Sequence, residues 1–148
     1  MEPIVQILVV VVTGPLVGVE FGVAAFNHPI LERLPDEEYR QARGAGSRIL
    51  GTVMPFWYCA AALLLIVAAV TNPGLPLIAA VVLMGAVMVL TLTTLVPINN
   101  RIAAWAGGPG DTADAPRELA HRWDRLHWVR VALLAVLFVL AVAAVVYG

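Results

Sequence analysis

The chain of 148 residues has no lysine and a single cysteine. With one thiol, Cys59, no intrachain disulfide can form and no thiolate metal cluster can be built. Cys59 reads as a small apolar core residue. Charge is scarce: 13% of residues are charged against 61% apolar, and the net charge is −1. A soluble domain of this size would have too few polar residues to cover its surface, and nothing in the charge invites nucleic acid. All nine cations are arginine. That suits fixed pairing and anion contact, and a GC-rich genome produces the same bias. Met1–Gln6 carries no positive charge, so the first apolar run reads as a retained helix and not as a signal peptide. Internal repeats and low-complexity tracts are also missing.

What the chain does have is four long apolar runs: Ile4–Phe26, Ile49–Thr71, Leu75–Val96 and Val129–Tyr147. Each, at roughly 20 residues, is long enough to cross a bilayer as a helix. The expected fold is all-α, one transmembrane four-helix domain over residues 1–148. Its helices fall at 4–26, 49–71, 75–96 and 116–147, with long connections 27–48 and 97–115. The first connection holds Arg33, Arg40, Arg43 and Arg48. The second holds Arg101, Arg117, Arg122 and Arg125, with Arg130 just inside the fourth run. Four crossings place both connections on one side, and the positive-inside rule makes that side cytoplasmic. Both termini and the uncharged turn Asn72–Pro73–Gly74 then face outward from the plasma membrane.

Asp36–Ala45 reads as a short surface helix, entered through Leu34–Pro35, with Asp36 as a cap and Gly44 and Gly46 ending it. Gly107–Gly108–Pro109–Gly110 is a break. Asp114–Ala115–Pro116 starts the last helix, Pro116–Tyr147, whose first turns project into the cytoplasm.

An acid lies inside the first run. Glu20 costs a few kcal/mol or more if it faces lipid, so it is expected to face the bundle interior. Thr13, Glu20 and Asn27 are spaced by seven and share one stripe of an α-helix, with Glu20 ~10 Å below the inner boundary. The plainer reading of Glu20 is a paired or protonated carboxyl that ties helices together. Gly14, Gly18 and Gly22, spaced by four, form a small-residue seam for close helix approach or for a second copy of the chain. Asn27–His28–Pro29 ends the first helix, with His28 at the interface. Pro97 ends the third and leaves Asn99, Asn100 and Arg101 as hydrogen-bond donors for a phenolate or enolate oxygen; the bland alternative is a polar helix terminus. In the fourth helix Trp123, His127 and Arg130 follow the i, i+4, i+7 spacing of one face. Asp124 is three residues from both His121 and His127, and a carboxylate-held histidine is a competent general base. An interfacial belt of tryptophan and arginine is the alternative, preferred for Trp128. Three histidines and several carboxylates could also hold a divalent metal, or haem through His28 and His127, but no close His pair on one helix supports this. Met54, Met84, Met88, Phe56, Trp57 and Tyr58 read as bundle core that could accept a flat apolar ligand. Pro55 should kink the second helix.

Several of these motifs together resemble the anthrone-oxygenase-like membrane family. They are the four short spans, Pro97–Ile98–Asn99–Asn100–Arg101 closing the third, and Trp-x-x-x-His-x-x-Arg at Trp123, His127 and Arg130. Asn27–His28–Pro29 followed by Leu34–Pro35–Asp36–Glu37–Glu38–Tyr39–Arg40 is similar to its bacterial members, most of which have no assigned function. The resemblance implies oxidation of an anthrone-like polycyclic phenol to a quinone, with O2 as co-substrate and no cofactor. On that implication His127 is the base, oriented by Asp124 or Glu20. Asn99, Asn100, Arg101 and Arg130 bind the substrate oxygen, Trp123 and Trp57 stack on the rings, and Asn27 and His28 complete the binding wall. A membrane module that binds a quinone, lipid or haem without chemistry, or a small subunit of a membrane complex, is the rival expectation.

Overall fold

The computed structural model describes residues 3–108 and 115–147. Helix α1, Pro3–Gly22, widens into a five-residue π-helical turn, Val23–Asn27, and resumes as α2, His28–Leu31. Helix α3 runs unbroken through Asp36–Thr71. Helix α4, Leu75–Leu90, passes through a second π-helical turn, Thr91–Leu95, into α5, Val96–Ala106. Helix α6 covers Ala115–Tyr147. Four continuous rods result, each long and apolar enough to cross a membrane: Pro3–Leu31, Asp36–Thr71, Leu75–Ala106 and Arg117–Tyr147. The chain is a multi-pass membrane protein of the all-α class.

The two π turns share a feature, a proline just beyond them, although Pro15 and Pro55 sit inside α1 and α3 without a π turn. Pro29 and Pro97 each stand two residues beyond the end of a π turn. Proline has no N–H, and its ring clashes with the carbonyl four residues back. One widened turn moves that carbonyl aside, and the helix continues. This corrects the expectation that Asn27–His28–Pro29 and Pro97 terminate their helices. The boundary drawn at Ala45 also falls. Helix α3 passes straight through Gly44 and Gly46, because Gly44 is where α3 meets α5: a Cβ there would collide with the Ala106 side chain. Pro35, not Asp36, precedes the first turn, where Asp36, Glu37 and Glu38 suit the positive end of the helix. The Asp36 carboxylate instead receives Arg117 Nη2 at 2.6 Å. The break assigned to Pro109–Gly110 and the cap assigned to Asp114 lie outside the described residues.

The rods pack as a square of sequence neighbours: α1 on α3 and α6, α3 on α4 and α5, and α4 on α6. One apolar core joins Val9, Leu16, Ala61, Leu65, Leu77, Met84, Leu134 and Leu137. A smaller one, Leu31, Tyr39, Ile98, Ile102 and Ala120, sits at the arginine-rich end. The outer face carries Phe56, Leu63, Val70, Leu92 and Val139, as a lipid-facing surface should. Lipid is as apolar as leucine, so helix association here depends on close packing and interhelical polar contacts more than on hydrophobic burial. The glycine seam contributes little within the chain. A Cβ at Gly14 would touch the Phe138 ring at 3.4 Å, while a Cβ at Gly18 or Gly22 would meet nothing within 4 Å.

Candidate active-site cavity

A cavity of about 300 Å³ opens among the four rods at the level of the two π turns. Its wall is mostly apolar: Val19, Val23, Leu50, Met54, Met88 and Leu95 among others. Glu20, His127 and Arg130 stand together in that wall.

Glu20 is 2% exposed, His127 1% and Arg130 7%, so the three charges and dipoles must satisfy one another. Arg130 Nη2 donates to Glu20 Oε2 at 2.6 Å. The Tyr58 hydroxyl donates to Glu20 Oε1 at 2.8 Å. His127 Nε2 lies 3.1 Å from Glu20 Oε2 and 3.0 Å from the Glu20 backbone carbonyl. Both neighbours accept, so Nε2 carries the imidazole proton and the basic lone pair falls to Nδ1. Arg130 Nη2 approaches Nδ1 at 3.5 Å. A buried carboxylate with a guanidinium partner is tolerable in this setting; either one alone would not be.

The polar stripe of the first rod is redrawn by its π turn. Thr13 and Glu20 are buried as expected, but Asn27 is exposed and His28 is 5% exposed. The widened turn adds a residue to the coil, so position 28 takes the place that uniform α-helix spacing gives to 27. His28 packs edge-on against Trp123 and His127, with ring centroids 5.5 and 5.1 Å apart. Asn27 and His28 line a second, smaller cavity of about 40 Å³.

Of the residues singled out in the sequence, Glu20, His127, Arg130, Trp123, Asn99, Met54, Tyr58 and Met88 line the main cavity, while Phe56 is exposed on the outer face. Asp124 does not hold His127. It is bonded by Arg43, and it lies 3.4 Å from His28 Nδ1. Asn100 and Arg101 are exposed and absent from the wall. Because α5 continues past Pro97, each successive residue turns about 100°, and only Asn99 faces inward, donating to the Ser47 carbonyl at 3.2 Å. Trp57 is also outside the cavity; its N–H donates to the Val12 carbonyl at 3.0 Å. Trp123 has guanidinia over its ring, Arg43 at 5.4 Å and Arg130 at 5.8 Å, so part of its face is already covered.

Thr91 and Arg43 are not among the sequence candidates, and Tyr58 is read there only as bundle core that could accept an apolar ligand, not as a partner of Glu20. Met54, Tyr58, Ala61 and Leu65 are all buried, and their spacing marks Tyr58 as inward on an ordinary α-helix. That signal was available. For Thr91 there was none, since a π turn shifts its phase. Three residues of the cavity wall carry a buried polar atom without a partner: Arg130 Nε, Thr91 Oγ1 and Trp123 Nε1. Such groups in a native fold are few and call for a ligand or water.

The fold and the site thus define a small multi-pass membrane protein with a largely apolar cavity between its helices and a buried imidazole–carboxylate–guanidinium group in the cavity wall. Within that class the chain belongs to the anthrone oxygenase family, whose model, described as Anthrone oxygenase, matches residues 39–140. The match includes Asn99, Trp123, His127 and Arg130; Glu20 and His28 precede it. No curated protein and no solved structure matches the chain.

Proposed function

We propose that the cavity binds a flat polycyclic phenol of the anthrone type and oxidises it to the quinone with O2. The observation that carries this is a base and three unpartnered donors grouped around a chamber whose wall is mostly apolar. Its volume of about 300 Å³ falls at the lower end of small-molecule sites.

His127 Nδ1 takes a proton from the substrate methylene, and the enolate that forms is stabilised by a buried donor, Arg130 Nε being the best placed by charge. The electron-rich enolate passes one electron to O2. Recombination of the resulting pair forms a carbon–oxygen bond and a hydroperoxide. Loss of the second methylene proton then breaks the O–O bond: one oxygen stays as the new carbonyl and the other leaves as water. The methylene gives up two hydrogens and four electrons in all, O2 accepts them, and the balance closes without another reductant. Glu20 acts as a positioning residue. With three donors already on it, its task is to hold the His127 tautomer and neutralise Arg130.

Gly51, Pro55 and Cys59 of α3, with Leu92 and Val96 opposite, line the cavity and are also exposed. An apolar substrate would enter sideways from the lipid through that flank. The arginine-rich end would lie in the cytoplasm, below the inner face of the plasma membrane.

The purified protein in detergent or nanodiscs should consume O2 when an anthrone is added, and His127→Ala should lose that activity by at least ~100-fold. Anthrone oxidation by His127→Ala at the wild-type rate would remove the assignment of the base. A quinone that co-purifies without any turnover would favour the binding-module reading.

A further inference from the structure

Beyond the cavity, the arginine-rich end brings three metal-ligating side chains together across two helices, with His28 beside one of them. His28 and Glu32 are four apart at the end of the first rod, with Glu32 capping α2. His121 and Asp124 are three apart on α6. Both spacings put the pair on one helical face. The ligand atoms of Glu32, His121 and Asp124 all lie within 4.8 Å of one another. His121 Nδ1 is 3.9 Å from Glu32 Oε1, and His28 Nδ1 is 3.4 Å from Asp124 Oδ1.

A second observation points to a missing ligand. His28 is 5% exposed, and neither of its ring nitrogens has a hydrogen-bond partner; Glu32 Oε1 is likewise buried and unpartnered. An imidazole left dry and unpaired is costly to a fold. A cation drawn between the two helices would relieve both orphans.

We propose that Glu32, His121 and Asp124, with His28, bind one divalent first-row transition ion. Two imidazoles and two carboxylates suit Zn2+, Mn2+ or Fe2+ better than Mg2+, which prefers oxygen alone. Ligands about 2.1 Å from a metal sit roughly 3–3.5 Å apart, so Glu32, His121 and Asp124, within 4.8 Å of one another, must draw together by up to about 1.5 Å, while His28 joins through its 3.4 Å approach to Asp124. Arg43 already holds Asp124 Oδ1. Its charge weakens the ion's hold, while its hydrogen bond orients the carboxylate, as outer groups do at many metal sites. The bound ion would pin α2 to α6 next to the His28–His127 contact. This site stands whether or not the cavity oxidises anthrones.

The test uses full-length protein purified without chelator, then stripped with EDTA and titrated with Zn2+, Mn2+ and Mg2+. Readouts are elemental analysis, calorimetry and thermal unfolding in detergent. Retention of about one ion per chain, with Zn2+ or Mn2+ raising the unfolding temperature and Mg2+ failing to, is the expected result. His121 is more than half exposed, so His121→Ala should fold normally and lose the shift, as should Glu32→Gln. Equal Zn2+ responses in wild type and both variants would overturn the site, as would no response in any of them. An equal Mg2+ response would overturn the choice of metal class.

Discussion

The two halves of the bundle are built differently. Toward the termini, Val9, Leu65, Leu77, Leu137 and Ala141 pack as an unbroken apolar core on regular helices. Toward the arginine-rich end, two of the four rods widen into π turns, and the interior holds Glu20, His28, Arg43, His127 and Arg130. The first half is specified by spacing alone. The second depends on each polar group finding its partner, so the halves should fail differently.

The sharpest way to break this contrast is Glu20→Ala. It leaves Arg130 buried without its carboxylate and should cost about 3–5 kcal/mol, read as a large drop in thermal or denaturant stability in detergent. If the loss is under ~1 kcal/mol, the polar end is decoration. In the apolar half, Leu137→Ala should cost about 2 kcal/mol by the same measurement. That is the low end of the usual 2–5 range, because lipid can substitute for part of the lost burial. Gly44→Ala forces a methyl into Ala106 and should destabilise by roughly 1–2 kcal/mol. Gly18→Ala meets nothing within 4 Å and should stabilise by about 0.5–1 kcal/mol through helix propensity. If Gly18→Ala instead weakens self-association in a crosslinking assay, the seam serves a second copy of the chain.

The spans were legible because twenty apolar residues have only one economical fate in a bilayer. Glu20 and Arg130 were legible for a related reason, that polar side chains in such a segment must face inward, and His127, just before the fourth run, was legible from its shared face with Trp123 and Arg130. Proline was misread. Pro29 and Pro97 carry the usual signature of a stop, and nothing local reveals that a widened turn will absorb them. Both Asn27 and His28 were named, and the π turn buried His28 and left Asn27 exposed; the same assumption of a helix end overvalued Asn100 and Arg101. Asp124 failed otherwise. Its sequence neighbours His121 and His127 looked like natural partners, but Arg43, some eighty positions away, outbids a neutral imidazole for a carboxylate. Gly44 misled because glycine marks both helix ends and tight crossings.

The two π turns lie at the same depth, and residues of both border the cavity. The space therefore owes part of its existence to the course of the main chain and not only to missing side-chain bulk. A chamber framed in this way can be refurnished. Val19, Leu50, Met54 and Met88 can each be exchanged for a larger or smaller neighbour while Pro29 and Pro97 keep the frame open. One scaffold could then be fitted to ligands of quite different outline.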